Sequence, residues 1–240
     1  MTVEPLFEKK VDCLLCKESF TTKKVRSSFK KARAMQSDFY TEYVYEDEVG
    51  SPLYYYVTIC PSCGYAFTED SNPYFHPRRK QDVIEKVSAY WKGNDRYSYD
   101  RTLEQALQTY KLALYSGQIK EEREIVMAGL HMRLMWLYRK LGQQEEEERY
   151  LNYALQAYER SYYVGDYQET DMSLIQLTYI IGELYRRLGQ FQKAGSYFSQ
   201  LLYLEDDTRD LKYIKMAKEQ WQVMREQQRE IEWQNQQNIS

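Results

Sequence analysis

Histidine is nearly missing from this chain. Only His76 and His131 occur among 240 residues, in dissimilar settings, so the side chain most used for acid–base catalysis is scarce. The Gly-x-Gly-x-x-Gly and P-loop phosphate cradles are missing too, as are a His-Glu-x-x-His pair and a nucleophile elbow. These absences exclude the common nucleotide-binding, metalloprotease and serine-hydrolase machineries, and the expected protein is not an enzyme. No apolar run approaches the roughly 18 residues that span a bilayer. The start, MTVEPLFEKKVDC, has no apolar signal-peptide core. The expected setting is therefore the cytoplasm, with no membrane partner. Positive charge is not in excess either: the formal net charge is -3, which gives no global bias toward nucleic acid. Proline disappears after Pro77, as a helical remainder requires.

Cysteine is scarce but placed with a pattern. The four cysteines form Cys13-Leu14-Leu15-Cys16 and Cys60-Pro61-Ser62-Cys63, with 43 residues (17–59) between the pairs. A Cys-x-x-Cys turn puts two sulfurs on one side of a tight loop, and two such turns make a closed tetrahedral site of the zinc-ribbon type. Cys13, Cys16, Cys60 and Cys63 are thus the expected ligands of one structural Zn2+ ion. A rubredoxin-like iron site has similar spacing. A redox pair fits poorly, because thioredoxin-like pairs occur singly within a βαβ pattern. Four thiolates leave no open position for a substrate water, so the metal is expected to be structural. His76 follows in a proline-containing stretch and reads as a loop residue.

Around the cysteines the apolar pattern is short and β-like. Leu53–Ile59 reads as a strong strand running into the second knuckle, and a second strand is predicted near Phe39–Tyr45. Tyr65-Ala66-Phe67 should cover the metal. Charge is segregated: Lys23, Lys24, Arg26, Lys30, Lys31 and Arg33 are followed by Asp38, Glu42, Glu46, Asp47 and Glu48. The basic run suits a phosphate-contacting surface for nucleic acid. It equally suits a solvated face on which the two runs neutralise each other.

The stretches VDCLLC, KKVRSS, SDFYTEY and PLYYYVTICPSCGYAF together resemble a bacterial family known as domain of unknown function 2225. Its members pair Cys-x-x-Cys with a later Cys-Pro-x-Cys-Gly-Tyr-Ala and carry an Asp-Phe dipeptide between. The resemblance covers most of the chain and is strongest over residues 11–70. It implies a tetratricopeptide-like helical region after the cysteines, and it implies no activity. Tyr40 stands where many relatives carry Cys, so a fifth thiol is missing.

From Gln81 onward the spacing is helical. Leu137-Tyr138-Arg139-Lys140-Leu141-Gly142-Gln143 recurs as Leu184-Tyr185-Arg186-Arg187-Leu188-Gly189-Gln190, an offset of 47 residues. Each copy closes a helix with a glycine turn, as tetratricopeptide repeats do between their paired helices. Gly182 and Ala194 are expected where the paired helices approach closely. Tyr185 and Phe198 are expected to fill the space between hairpins. The last segment, Asp210–Trp233, has a polar second face and reads as a capping helix whose NQQNIS tail frays.

The expected fold is α+β, mostly α: a zinc-ribbon-like module over residues 1–77, then a tetratricopeptide-like helical domain over residues 78–240. The expected function is a non-catalytic scaffold that binds a protein or peptide on the concave face of its helix pairs. Met132, Trp136, Arg139 and Lys140 in the first pair, and Gln176, Tyr179, Glu183, Arg186 and Arg187 in the second, are the candidate partner-binding residues. Their basic and aromatic character suits an extended peptide bearing an acid. Arginines at helix ends also simply complement the helix dipole. Alternatives from other classes are nucleic-acid binding through Lys23–Arg33 and a cytosolic peptide sensor in which one module reports on the other.

Overall fold

The computed structural model describes residues 3–46, 50–202 and 210–237. Asp47 and Glu48 of the acidic run, and the Asn238–Ser240 end of the tail, lie outside them. The chain is α+β and mostly α: three small antiparallel strand pairs precede seven α-helices among the described residues.

β1 (Leu6–Asp12) and β2 (Ser19–Val25) form a hairpin around the first cysteine pair, in register from Leu6↔Val25 to Asp12↔Ser19. Hydrophobicity marks β2 weakly because its buried positions include Thr22, and because Lys24 lays its stem inward. β3 (Ala32–Met35) and β4 (Thr41–Tyr43) make a second hairpin. The tip, residues 36–40, is closed by Gln36 N–H to Tyr40 O (2.8 Å) and Phe39 N–H to Gln36 O (3.0 Å). Phe39 takes a left-handed φ of +68° there.

The expected strand over Leu53–Ile59 is not one. Pro52–Tyr55 is a 3-10 turn, and only β5 (Thr58–Ile59) pairs, with β6 (Ala66–Phe67). Long-range side chains take the carbonyls that a strand partner would use. Arg101 donates to Tyr54 O (3.0 Å) and Val57 O (2.7 Å), Lys24 to Tyr55 O (3.0 Å) and Tyr110 to Leu53 O (2.8 Å). Arg101 is buried and meets carbonyls rather than a carboxylate, so burial pulls its guanidinium down to about 10.

α1 (Pro77–Lys86) begins at the proline itself, a position where a missing N–H costs nothing. It ends at Lys86, so Trp91 is not on the helix. α2 (Leu103–Lys120) starts with a full capping box between Thr102 and Gln105. At its end Lys120 and Glu122 form a buried ion pair of 2.7 Å. The Glu122 carboxylate also accepts the Asn72 N–H at 3.1 Å, tying the linker down.

Two helical hairpins follow. α3 (Glu124–Lys140) pairs with α4 (Gln144–Val164), and α5 (Leu174–Arg187) with α6 (Phe191–Leu202). The recurring Leu-Tyr-Arg motif closes α3 and α5 alike, with Gly142 and Gly189 left-handed at φ +68° and +69°. Within the second hairpin a Cβ on Gly182 would sit 2.8 Å from the Phe198 ring. Phe198 therefore packs inside its own hairpin rather than between hairpins. Tyr185 does bridge them, with its hydroxyl 2.5 Å from Glu159 of α4. α7 (Leu211–Gln237) buries Tyr213, Ile214, Ala217 and Met224 against this end, while Leu211 and Ile231 remain exposed. His131 is packed beside Tyr150 and Tyr153, and burial pushes its pKa down to about 4. It is a neutral aromatic at pH 7.

Packing does not stop at the expected boundary between residues 77 and 78. One core cluster runs from Val25, Tyr40, Tyr55 and Ile59 into Tyr110, Leu134 and Ile181. A smaller one joins Cys13, Leu15, Cys60 and Tyr65 to Val83 of α1 and to Val87 just past its end.

Candidate metal centre and a groove filled by the chain itself

The two knuckles share one backbone design. Cys13 N–H bonds Glu18 O (2.9 Å) and Lys17 N–H bonds Cys13 O (3.1 Å). In the second, Cys60 N–H bonds Tyr65 O (3.0 Å) and Gly64 N–H bonds Cys60 O (2.9 Å). Lys17 and Gly64 occupy the same left-handed position, at φ +66° and +72°. Glycine belongs at the second for a further reason: a Cβ there would lie 2.5 Å from the Trp91 ring. That ring caps the knuckle and donates its indole N–H to Pro61 O at 2.7 Å.

All four sulfurs lie within 4.8 Å of one another. Cys13–Cys63 and Cys16–Cys60 are each 3.6 Å apart, and all four thiols are free. Tetrahedral zinc with bonds of about 2.3 Å would hold its thiolates roughly 3.8 Å apart, so the donor set fits such an ion. The thiols influence one another strongly. Hydrogen bonding from Cys13 and Cys63 favours the thiolate at Cys60, while contact with their neighbours raises Cys13 and Cys63. Four thiolates at this spacing need a cation to coexist. Among the described residues no other group of three or more His, Cys, Asp or Glu side chains reaches this spacing. His76 is exposed at the start of α1, and Tyr40 packs on Trp136 in the other core cluster.

The shared design yields a prediction. A left-handed non-glycine residue costs roughly 1 kcal/mol, partly offset by the chain entropy glycine adds to the unfolded state. Lys17→Gly is therefore expected to stabilise the protein by about 0.5 kcal/mol, seen as a small rise in the chemical-denaturation midpoint. A lowered midpoint would contradict the strain at Lys17.

The candidate partner-binding residues come together, but not as an open surface. The β3–β4 tip lies across them. Asp38 is fully buried and accepts from Arg139 (2.7 Å), with Arg187 at 3.5 Å. Gln36 accepts from Arg139 at 2.8 Å. Ser37 donates to Glu183 (2.7 Å), and its carbonyl accepts the Tyr179 hydroxyl (2.7 Å). Phe39 packs its ring 5.4 Å from Tyr179 and 5.6 Å from Tyr213. Glu183 is held by both Arg186 and Arg187. Lys140 is exposed and pairs with Glu46 at 2.5 Å. Met132, Trp136, Tyr179, Glu183 and Arg186 are buried, and Gln176 is half-buried. Partner binding on this face would need these positions to be open, but all except Lys140 are buried or half-buried, with the chain's own acid–aromatic segment in the groove.

The charged runs are also paired differently from the expectation that they neutralise each other. Lys23 meets Glu8 (3.8 Å) and Lys24 meets Glu69 (3.1 Å). Arg26 and Arg33 donate to the carbonyls of Glu4 and Val44. The acids Asp38 and Glu46 face helix cations instead. No strand pairing announces this in the sequence; the long-range contacts do.

A family signature spans residues 6–224 of the chain, from β1 into α7. The chain belongs to that family, the uncharacterized proteins conserved in bacteria designated DUF2225. Nothing among the curated proteins or the solved structures matches it. In this DUF2225 chain the matched span takes in both cysteine knuckles, the Asp38-Phe39 tip and both hairpins. The Asp-Phe dipeptide is the one signal in the sequence that could have pointed to the tip. Arg101 and Arg133 carry no motif, and helical spacing alone marks neither. Among the described residues no helix is long and apolar enough to cross a membrane.

Proposed function

We propose that this protein is a non-catalytic, cytoplasmic scaffold, braced by one structural zinc ion on Cys13, Cys16, Cys60 and Cys63. Its tetratricopeptide-like helix pairs bind an extended peptide segment that combines an acid with an aromatic residue. The observation that carries this reading is the buried Asp38 carboxylate between Arg139 and Arg187, with Phe39 against Tyr179. The groove accepts that chemistry in cis. A protein partner presenting similar chemistry would compete with the chain's own tip. This favours the sensor form of the reading, in which a partner displaces a segment of the metal-braced module. The basic run supports nucleic-acid binding poorly, because Lys23, Lys24, Arg26 and Arg33 are already engaged.

The test uses a labelled peptide with the sequence of residues 34–42. It is expected to bind the metal-loaded Asp38→Ala protein with a Kd of about 10 µM and wild type at least about tenfold more weakly, because the tip is then in place. Adding Arg139→Gln and Arg187→Gln to that variant should abolish binding. A folded, metal-loaded Asp38→Ala protein that ignores the peptide rejects the reading.

A further inference from the structure

A cavity of about 720 Å³ lies between the β3–β4 hairpin and helices α3, α4 and α7. Its size falls within the range of small-molecule sites, roughly 300–1,000 Å³. Met132, Ile125, Tyr43 and Tyr158 give it apolar walls, Lys24, Lys212, Asp70 and Asp171 are among the charged side chains that also line it, and Arg133 and Trp136 line it from one face of α3. The hydrogen-bonding groups of these two are not used up by the fold.

Arg133 donates only to Gly129 O of its own helix, at 2.9 Å. Among the described residues no carboxylate lies within ion-pair distance of it. Asp70, which lines the same cavity, gives an oxygen to the Tyr56 hydroxyl at 2.7 Å instead. The guanidinium lies 3.7 Å from the centre of the Tyr56 ring and 5.9 Å from that of Trp136. A cation–π contact returns only part of what dehydrating the ion costs. Most of its five donors remain for something else.

Trp136 is the independent second observation. It is buried to 8 % exposure, and its indole Nε1 has no hydrogen-bond partner. Buried indole N–H groups ordinarily find an acceptor. A planar cationic donor and an orphaned neutral donor, three residues apart on one helix, both line a cavity with apolar walls. The missing partner is an acceptor bearing negative charge.

We propose that this cavity binds a small amphipathic anion. A carboxylate or phosphate head would lie on Arg133 within reach of the Trp136 N–H, and an aromatic or aliphatic body would fill the space toward Met132 and Tyr158. The site adjoins the peptide groove and shares Phe39, Met132, Trp136 and Gln176 with it, but Asp38 and its arginines do not line it.

The test follows the Trp136 indole N–H by NMR in the metal-loaded full chain, with the signal assigned by its loss in Trp136→Phe. Three probes are added: 3-phenylpropionate, phenyl phosphate and neutral 3-phenylpropan-1-ol. At least one anion should shift the signal saturably below about 10 mM, and at least about tenfold more tightly than the alcohol. Which anion binds more tightly separates a carboxylate ligand from a phosphate monoester. Arg133→Gln should erase the preference for the anion, and Arg133→Lys should keep part of it. Because the free cation strains the apo protein, Arg133→Gln should melt no lower than wild type. Equal binding of anion and alcohol, no saturable shift by either anion, or unchanged anion binding in Arg133→Gln overturns the proposal. So does a clearly lowered Arg133→Gln melting temperature, which would make the guanidinium a structural cation satisfied by its aromatic neighbours.

Discussion

Cys60→Ser is expected to lose the metal and the fold of the N-terminal module together. Structural zinc sites carry about 10–16 kcal/mol of apparent folding free energy in isolated fingers. A whole domain keeps only about 5–15 kcal/mol. Here the thiols are packed with Leu15, Tyr65 and Phe67, with Val83 of α1 and with Val87 just past its end, so losing a bound ion would remove the centre of that cluster. Trp91 reports the loss locally, because its indole bonds Pro61 between the second pair of cysteines. Elemental analysis should give one zinc per chain for wild type and less for Cys60→Ser. Chelator should reproduce the Cys60→Ser melt in wild type, with Trp91 emission shifting to the red in both. A metal-free wild-type protein with an unchanged melt would overturn the site, and one equivalent of iron would reassign the ion. Because α1 shares the cysteine core and the tip lies in the helical groove, the damage should spread past residue 77.

Asp38→Ala should destabilise the protein by about 3–5 kcal/mol, the usual cost of breaking a buried charge pair from one side. The aspartate side chain is fully buried, and its two arginines are mostly covered. Removing it leaves Arg139 and Arg187 with fewer partners, Glu147 and Glu183. The urea midpoint should fall with an unchanged slope, the mark of lost stability without a change in the surface exposed on unfolding. Arg139→Met alone should cost less, because Asp38 keeps Arg187. The pair measured as a cycle should show strong coupling, above about 1 kcal/mol. Additive effects would mean that Asp38 and Arg139 do not act together. Asp38→Asn separates charge from shape: if hydrogen bonding alone holds the tip, it should cost little.

The four-cysteine cluster was legible because Cys-x-x-Cys is a local geometry, set by one turn and repeated. The hairpins were legible because helical spacing and a left-handed glycine stop are local as well. The strand expected at Leu53–Ile59 failed for the opposite reason. Its β-prone residues are real, but Arg101, Lys24 and Tyr110 take its carbonyls from 31 to 57 positions away. That the groove residues are mostly covered was not legible, because what covers them lies 101 to 150 residues earlier in the chain.

The sequence by itself determined the four-cysteine cluster, the mostly α character, the two glycine-stopped hairpins and the family. Each rests on short-range periodicity or spacing, where backbone sterics and ligand bite leave few choices. Only the tertiary structure decided that the β3–β4 tip lies against α3 and α5 and that Asp38 is the counter-ion of Arg139 and Arg187. It likewise decided that Arg133 lines a cavity with no carboxylate at ion-pair distance among the described residues, and that the Trp136 N–H beside it has no acceptor. A side chain's partner is set by what folding brings beside it, and for these residues that neighbour comes from a distant part of the chain.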